Sequence, residues 1–175
     1  MSEPDHAEIL RSGPQAWNAW REKNPSTIPD LSGIALKLSE RQLGPINGGP
    51  INLKSTCLQH AFLRFATLSA ADLEAADMSN ADLVHARLDH ANLCTANLRN
   101  VLLDHADFAG ANLTQANLCG ASLQHAKNLT QAQIEYSIGS DSTILPNHLV
   151  APWLWLKITT VAIPGRNRTQ HPAPQ

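Results

Sequence analysis

The sequence predicts an all-β solenoid, a quadrilateral parallel β-helix with short helical caps at both ends. Three observations predict it. An axial apolar residue recurs at every fifth position from Leu53 to Leu123. A small residue stands two before each, and it is Ala in 12 of 15 cases. The chain is apolar mainly through Ala and Leu, with only 5% aromatic residues, so a core has to come from regular stacking rather than from large rings.

The axial register runs Leu53, Leu58, Leu63, Leu68, Leu73, Met78, Leu83, Leu88, Leu93, Leu98, Leu103, Phe108, Leu113, Leu118 and Leu123. The small position departs from Ala only at Ile51, Thr56 and Val101, and the residue between the two is often Asp or Asn. A period of five fits neither a helix, which needs 3.6, nor a continuous strand, which needs 2. Within each five, the small residue and the Leu are two apart and share one face of an extended segment, so the other three must face outward or turn the chain. Four right-angle turns make a square coil of twenty residues, and successive coils stack as parallel strands about 4.8 Å apart. Four Leu per coil then fill the axis and leave room beside them only for something the size of Ala.

Runs such as Ala71-Asp72-Leu73-Glu74-Ala75 and Ala111-Asn112-Leu113-Thr114-Gln115 resemble the A(D/N)LXX unit of pentapeptide-repeat proteins, and the resemblance covers 51–125. It implies a right-handed square solenoid. It also implies one specific activity to weigh, because quinolone-resistance members of that family look like B-form DNA and act on DNA gyrase as duplex mimics.

Exposed coil ends are open edges, so a solenoid needs caps. Residues 1–30 are expected to form the N-terminal one. Asp5 with Glu8, and Ser12 with Gln15, have capping-box spacing, which predicts helices over 6–11 and 14–23, with Trp17 and Trp20 on one face as a hydrophobic cap. The stretch from Trp17 to Gly33 resembles a leader found in a bacterial subset of the family. The β-helix is expected over 31–129, regular from 51. Leu31 and Leu36 keep the five-residue step, whereas Leu38, Leu43 and Leu53 lie on a register shifted by two. An insertion must sit between them, and Gly44, Pro45, Gly48, Gly49 and Pro50 read as an irregular first coil or outward loop over 37–50. Register repair is the simplest use of that loop; a partner contact is the other.

At the far end the step breaks after Ala126, where Lys127 and Asn128 precede Leu129. Thr130 with Gln133 again has capping-box spacing and Gly139 suits a helix C-terminus, predicting a helix at about 131–138 within a C-terminal cap over 130–156. Leu145-Pro146, Pro152-Trp153 and Trp155 resemble the family's C-terminal closure. Residues 157–175 read as a disordered tail.

Function is less legible than fold. The net charge is -2, which predicts neither a nucleic-acid-binding surface nor a strongly acidic one. Three cysteines, Cys57, Cys94 and Cys119, make no even disulfide set, and the first ten residues show no signal-peptide pattern, so a reducing cytoplasm fits. The most apolar stretch, 149–163, falls short of the roughly 20 residues that span a bilayer. Residues twenty apart stand above one another, which puts Phe65, His85, His105 and His125 in one corner column. Stacked imidazoles suggest transition-metal binding or a pH-sensitive charge column. The simpler reading is that histidine is merely tolerated at corners, as His60 and His90 also stand there. Asn92 over Asn112 and Asn97 over Asn117 form amide ladders with a structural role.

No paired carboxylates in a cleft, Gly-rich phosphate loop or activated cysteine can be argued, so catalysis and a cofactor are not expected. The expected function is a non-catalytic scaffold for a protein partner whose identity the sequence does not give. The duplex-mimic alternative is weakened because residues 51–125 hold seven Asp/Glu against four Lys/Arg, a net -3, far below one charge per about 1.7 Å of DNA axis. Direct DNA binding lacks a basic stripe. Oligomeric state is not legible.

Overall fold

The computed structural model describes residues 5–36, 40–44 and 49–155. The expected tail over 157–175, Leu38 and parts of the 37–50 segment lie outside them.

Each five-residue unit builds one side of a square. The axial residues from Leu53 to Leu123 are at most 1% exposed, and the small residues beside them, from Ile51 to Ala121, at most 4%. The corner is a four-residue turn: the Ala66 amide donates to the Leu63 carbonyl at 3.0 Å, and Phe65, the third residue, has φ 60°. That is the type II pattern, in which the third residue is left-handed. Corner after corner repeats it, from Ser55 at φ 55° to Gln115 at φ 57°. His, Asn and Gly accept this conformation most readily, which accounts physically for His60, His85, His90, His105, Asn80 and Asn100 at corners.

The unit around Asp82 shows where its five amides go. Asp82 N donates to Ala61 O (2.9 Å), Leu83 N to Leu102 O (2.9 Å), His85 N to Asp104 O (3.0 Å) and Ala86 N to Leu83 O (2.9 Å). The fifth, Val84 N, donates to the Asp82 side chain at 3.1 Å. Asp or Asn therefore stands beside the axial residue because its Oδ1 accepts the one amide that the ladders leave over. Asn52, Asp72, Asp77, Asp82, Asn92, Asn97, Asp107, Asn112 and Asn117 all make this bond.

Four columns of parallel bridges, each stepping by 20 residues, define four walls. Wall one runs through Cys57, Asp77, Asn97 and Asn117; wall two through Phe62, Asp82, Leu102 and Ser122; wall three through Thr67, Arg87, Asp107 and Lys127; wall four through Asn52, Asp72, Asn92 and Asn112. The first coil is longer. Asp30 pairs with Cys57, 27 residues on, and Gln42 with Thr67, 25 on. Leu31, Leu36, Leu43 and Leu53 are thus successive axial residues, all at most 3% exposed. Where one insertion was expected there are two: two extra residues between Leu36 and Leu43 and five between Leu43 and Leu53.

Helix α1 (His6–Arg11) starts at Asp5, whose side chain accepts from Ala7 N at 2.9 Å. Helix α2 (Pro14–Lys23) starts after Gly13 without a side-chain cap, so Ser12 and Gln15 form no capping box. Ser12 is already committed to ending α1, its amide and hydroxyl both bonded to Glu8 O, and Pro14 begins α2 with its φ preset. The side chains of α2 lie along wall four of the first coil. Asn18 gives Nδ2 to Pro50 O (2.9 Å) and accepts from Asn52 N (2.9 Å); Trp17 Nε1 donates to Asn52 O (2.6 Å) and Arg21 Nη2 to Lys54 O (3.0 Å).

Helix α3 (Gln131–Glu135) opens with the Thr130–Gln133 capping box, and Gln133 Nε2 also reaches Phe108 O and Ala111 O at 2.7 and 2.9 Å. It is shorter than the expected 131–138, because the chain rejoins wall one at Ile138, which pairs with Asn117, and then wall two at Ile144 against Ser122. Gly139 is no helix cap. A Cβ there would collide with the ring of Trp155, which is 1% exposed and donates Nε1 to Ser137 O at 3.0 Å.

Candidate interaction surface

The column of outward residues on wall two reads Ala35, Phe62, Asp82, Leu102, Ser122, Ile144. Phe62 is 56% exposed, Leu102 46% and Ile144 50%. On walls one, three and four the same position is mostly Asp, Asn or another polar residue. Phe62 and Leu102 also cannot accept the bond that the amide two residues on donates to Asp or Asn elsewhere, so nothing in the folding of their own units calls for them. The apolar residues recur every second coil, about 9.6 Å apart on the parallel-strand spacing. Arg64 and Asp82 pair across the same wall at 3.2 Å. The sequence held a signal for Phe62 and Leu102, apolar side chains where Asp or Asn usually stands. Ile144 was hidden, since its step from Ser122 is 22 residues.

Along the corner joining walls two and three, Phe65, His85, His105 and His125 form a continuous ring stack. Centroids are 4.8, 4.7 and 4.9 Å apart and the planes are within 5°, 6° and 11° of parallel. The guanidinium of Arg64 lies 6.0 Å from the Phe65 ring. Metal ligation is not what this arrangement suits. Imidazole lone pairs lie in the ring plane, so parallel rings direct them side by side rather than at one point. Among the described residues no group of three or more His, Cys, Asp or Glu is placed to hold a metal ion. At the top of the column, Asp104 Oδ1 is buried with no hydrogen-bond partner and lies 3.7 Å from His125 Nδ1, while Oδ2 accepts from Ser122 Oγ at 2.9 Å.

The remaining sequence candidates have internal uses. Asn112 Nδ2 donates to Asn92 Oδ1 (3.2 Å) and Asn92 Nδ2 to Asp72 Oδ1 (3.2 Å), while Asn97 Nδ2 donates to Asp77 Oδ1 (2.9 Å). Burial pushes the Asp77 carboxyl up, but bonds from Ser79, Gln59 and Asn97 outweigh it and hold the group below the usual carboxylate range. Cys57, Cys94 and Cys119 are half-buried and unpaired, and Cys57 Sγ lies 3.0 Å from Ser32 Oγ. Trp17 is fully buried, with Trp20 at 5.5 Å between ring centroids. Among the described residues no helix is long and apolar enough to cross a membrane.

The family model described as pentapeptide repeats, eight copies, matches residues 51–83, 63–100 and 96–135. Among solved structures, the chain is similar to Rfr23, a pentapeptide repeat protein from the cyanobacterium Cyanothece 51142, at 23% identity over 77% of this chain and 97% of that one, with a TM-score of 0.51. HetL, a pentapeptide repeat protein involved in heterocyst differentiation regulation from Nostoc sp. strain PCC 7120, matches at 25% identity over 70% of this chain and 58% of that one, TM-score 0.39. QnrB1, a plasmid-mediated fluoroquinolone resistance protein, matches at 15% identity over 70% and 81%, TM-score 0.35. No curated protein matches the chain. The family match and the likeness to Rfr23 carry the fold, a right-handed β-helix solenoid.

Proposed function

The chain belongs to the pentapeptide-repeat family, and on that premise we propose that it is a non-catalytic cytoplasmic scaffold whose second wall binds a protein partner. The observation that carries this reading is the exposed row of Phe62, Leu102 and Ile144 on one wall, where the other walls are mostly polar at this position and show a single exposed large apolar side chain there among the described residues, Ile138 on wall one. Exposed apolar side chains aligned on a flat surface mark interaction sites in soluble proteins. The axis beside them is filled by buried side chains, mostly Leu and Ala, which supports recognition on the outside rather than chemistry within. The helices at the two ends fit as caps, because α2 and α3 bond the terminal carbonyls and amides that a further coil would otherwise take.

The gyrase-mimic alternative draws no support from the walls. Of the four cations in residues 51–125, Lys54 pairs with Glu74 (2.8 Å), Arg64 with Asp82 (3.2 Å) and Arg87 with Asp89 (3.3 Å), which dilutes an already weak acidic surface. The test is to immobilise three proteins and expose each to a lysate of the source organism: wild type, a Phe62→Gln/Leu102→Gln variant, and a wall-four control, Thr114→Gln. A protein held by wild type and control but lost from the wall-two variant is the expected result. Retention that ignores the wall-two change overturns the assignment, and salt-sensitive capture of a topoisomerase subunit would revive mimicry.

A further inference from the structure

We propose that the column Phe65, His85, His105 and His125 is a proton-operated seam between walls two and three, closed while its imidazoles are neutral and loosened as they take up protons. The backbone fixes the spacing. At the lower half of the column the corner amides are tied to the next coil, Phe65 N to Val84 O and His85 N to Asp104 O, both at 3.0 Å, so these rings cannot drift apart without rotating out of the stack. At centroid distances of 4.7 and 4.9 Å, two neighbouring imidazolium ions would face each other with nothing between them.

The two ends of the histidine stack differ. The charges that act on His85 are those of His105, Lys127 and Arg64, all of the same sign as a protonated imidazole, and Arg64 is itself paired with Asp82 at 3.2 Å. A proton on His85 therefore gains no partner. At the other end His125 Nδ1 lies 3.7 Å from Asp104 Oδ1, which accepts no hydrogen bond. Loss of water against the neighbouring rings, followed by the charges of His105, Lys127 and Arg64, holds His85 below the ordinary imidazole range. The sign follows by linkage. A folded state that binds a proton less readily than the unfolded chain loses stability as pH falls below the free imidazole pKa of about 6.5, and recovers it as pH rises.

The experiment compares thermal melts at about pH 7.5 and about pH 5.5, either side of that value. Wild type is expected to lose roughly 3 °C or more on acidification. A His85→Asn/His105→Asn variant, whose new side chains suit a left-handed corner as Asn80 and Asn100 do, should lose clearly less. Equal losses in wild type and the double variant overturn the proposal. NMR titration of the wild-type histidines gives a reading that needs no variant. His60 occupies the equivalent corner of a column continued by Asn80 and Asn100, and serves as reference. Column signals whose curves depart from that of His60 support the seam; curves that overlay it overturn the seam.

Discussion

At the scale of single residues, the repeat is a set of conformational and steric requirements, and its departures are testable. Thr95 is β-branched yet sits at φ 57°, where most side chains are strained and branched ones more so. Thr95→Asn should raise stability by about 1 kcal/mol, read from urea unfolding, even though it forfeits the short Thr95 Oγ1 to Cys94 O bond of 2.7 Å. Thr56 stands in the small axial position with its hydroxyl buried and unpartnered. Thr56→Val keeps the shape and removes the orphan, so it should stabilise by about 1 kcal/mol or more; a loss instead would mean that the hydroxyl has a partner. Ala91→Leu places a large side chain against a filled axis at 1% exposure and should cost about 1–3 kcal/mol. The period of five and its small residue are plain in the chain. The reason for Asp and Asn is not, because it appears only once four amides of each unit have been assigned to ladders and turn and the fifth is left over.

At the scale of elements, the ends are held by side chains that imitate a missing strand. Asn18 both donates to Pro50 O and accepts from Asn52 N, which is what a neighbouring strand would do for wall four. Asn18→Ala should therefore cost about 1–2 kcal/mol, and hydrogen exchange should quicken at Asn52 before it does at Asp72. At the other end, Gly139→Ala puts a methyl where the Trp155 ring lies, so Trp155 should leave its pocket and its fluorescence shift to the red. The sequence announced helices at these ends through capping pairs, and one of the three pairs forms the box as read: Thr130 with Gln133 starts α3, while Asp5 starts α1 alone, through Ala7 N. Ser12 misled because a residue can end one helix and resemble the start of the next. Gly139 misled because a missing Cβ can serve a ring packed from sixteen residues away as well as a helix end. The offset of twenty put four ring residues in one column, but no spacing reveals that their planes lie flat on each other.

At the scale of the whole molecule, the coil is a unit of length that tolerates surplus better than shortage. Seven extra residues are absorbed in the first coil, and steps of 21 and 22 carry the chain from Asn117 to Ile138 and from Ser122 to Ile144. This tolerance is why the regular walls could be read from a period while the ends could not: a surplus can loop out at any corner and leaves no periodic trace. A shortage has no such outlet, since one side of the square needs its small residue, its axial residue and a corner, and a trans chain spans at most about 3.6 Å per residue. Deleting 72–91 joins Ala71 to Asn92 in phase and removes one whole coil, so wall four simply pairs Asn52 with Asn92. That protein should fold cooperatively, with a native-like β-helix circular dichroism spectrum and a urea m-value reduced in proportion to the surface deleted. Deleting 72–93 removes two residues more and leaves Ala71, Cys94 and Thr95 to make a side without an axial Leu. This shorter chain should lose the cooperative transition altogether. Equal stability of the two deletions would mean that coils rearrange around a shortage, and the column would then be a more plastic object than its filled axis implies.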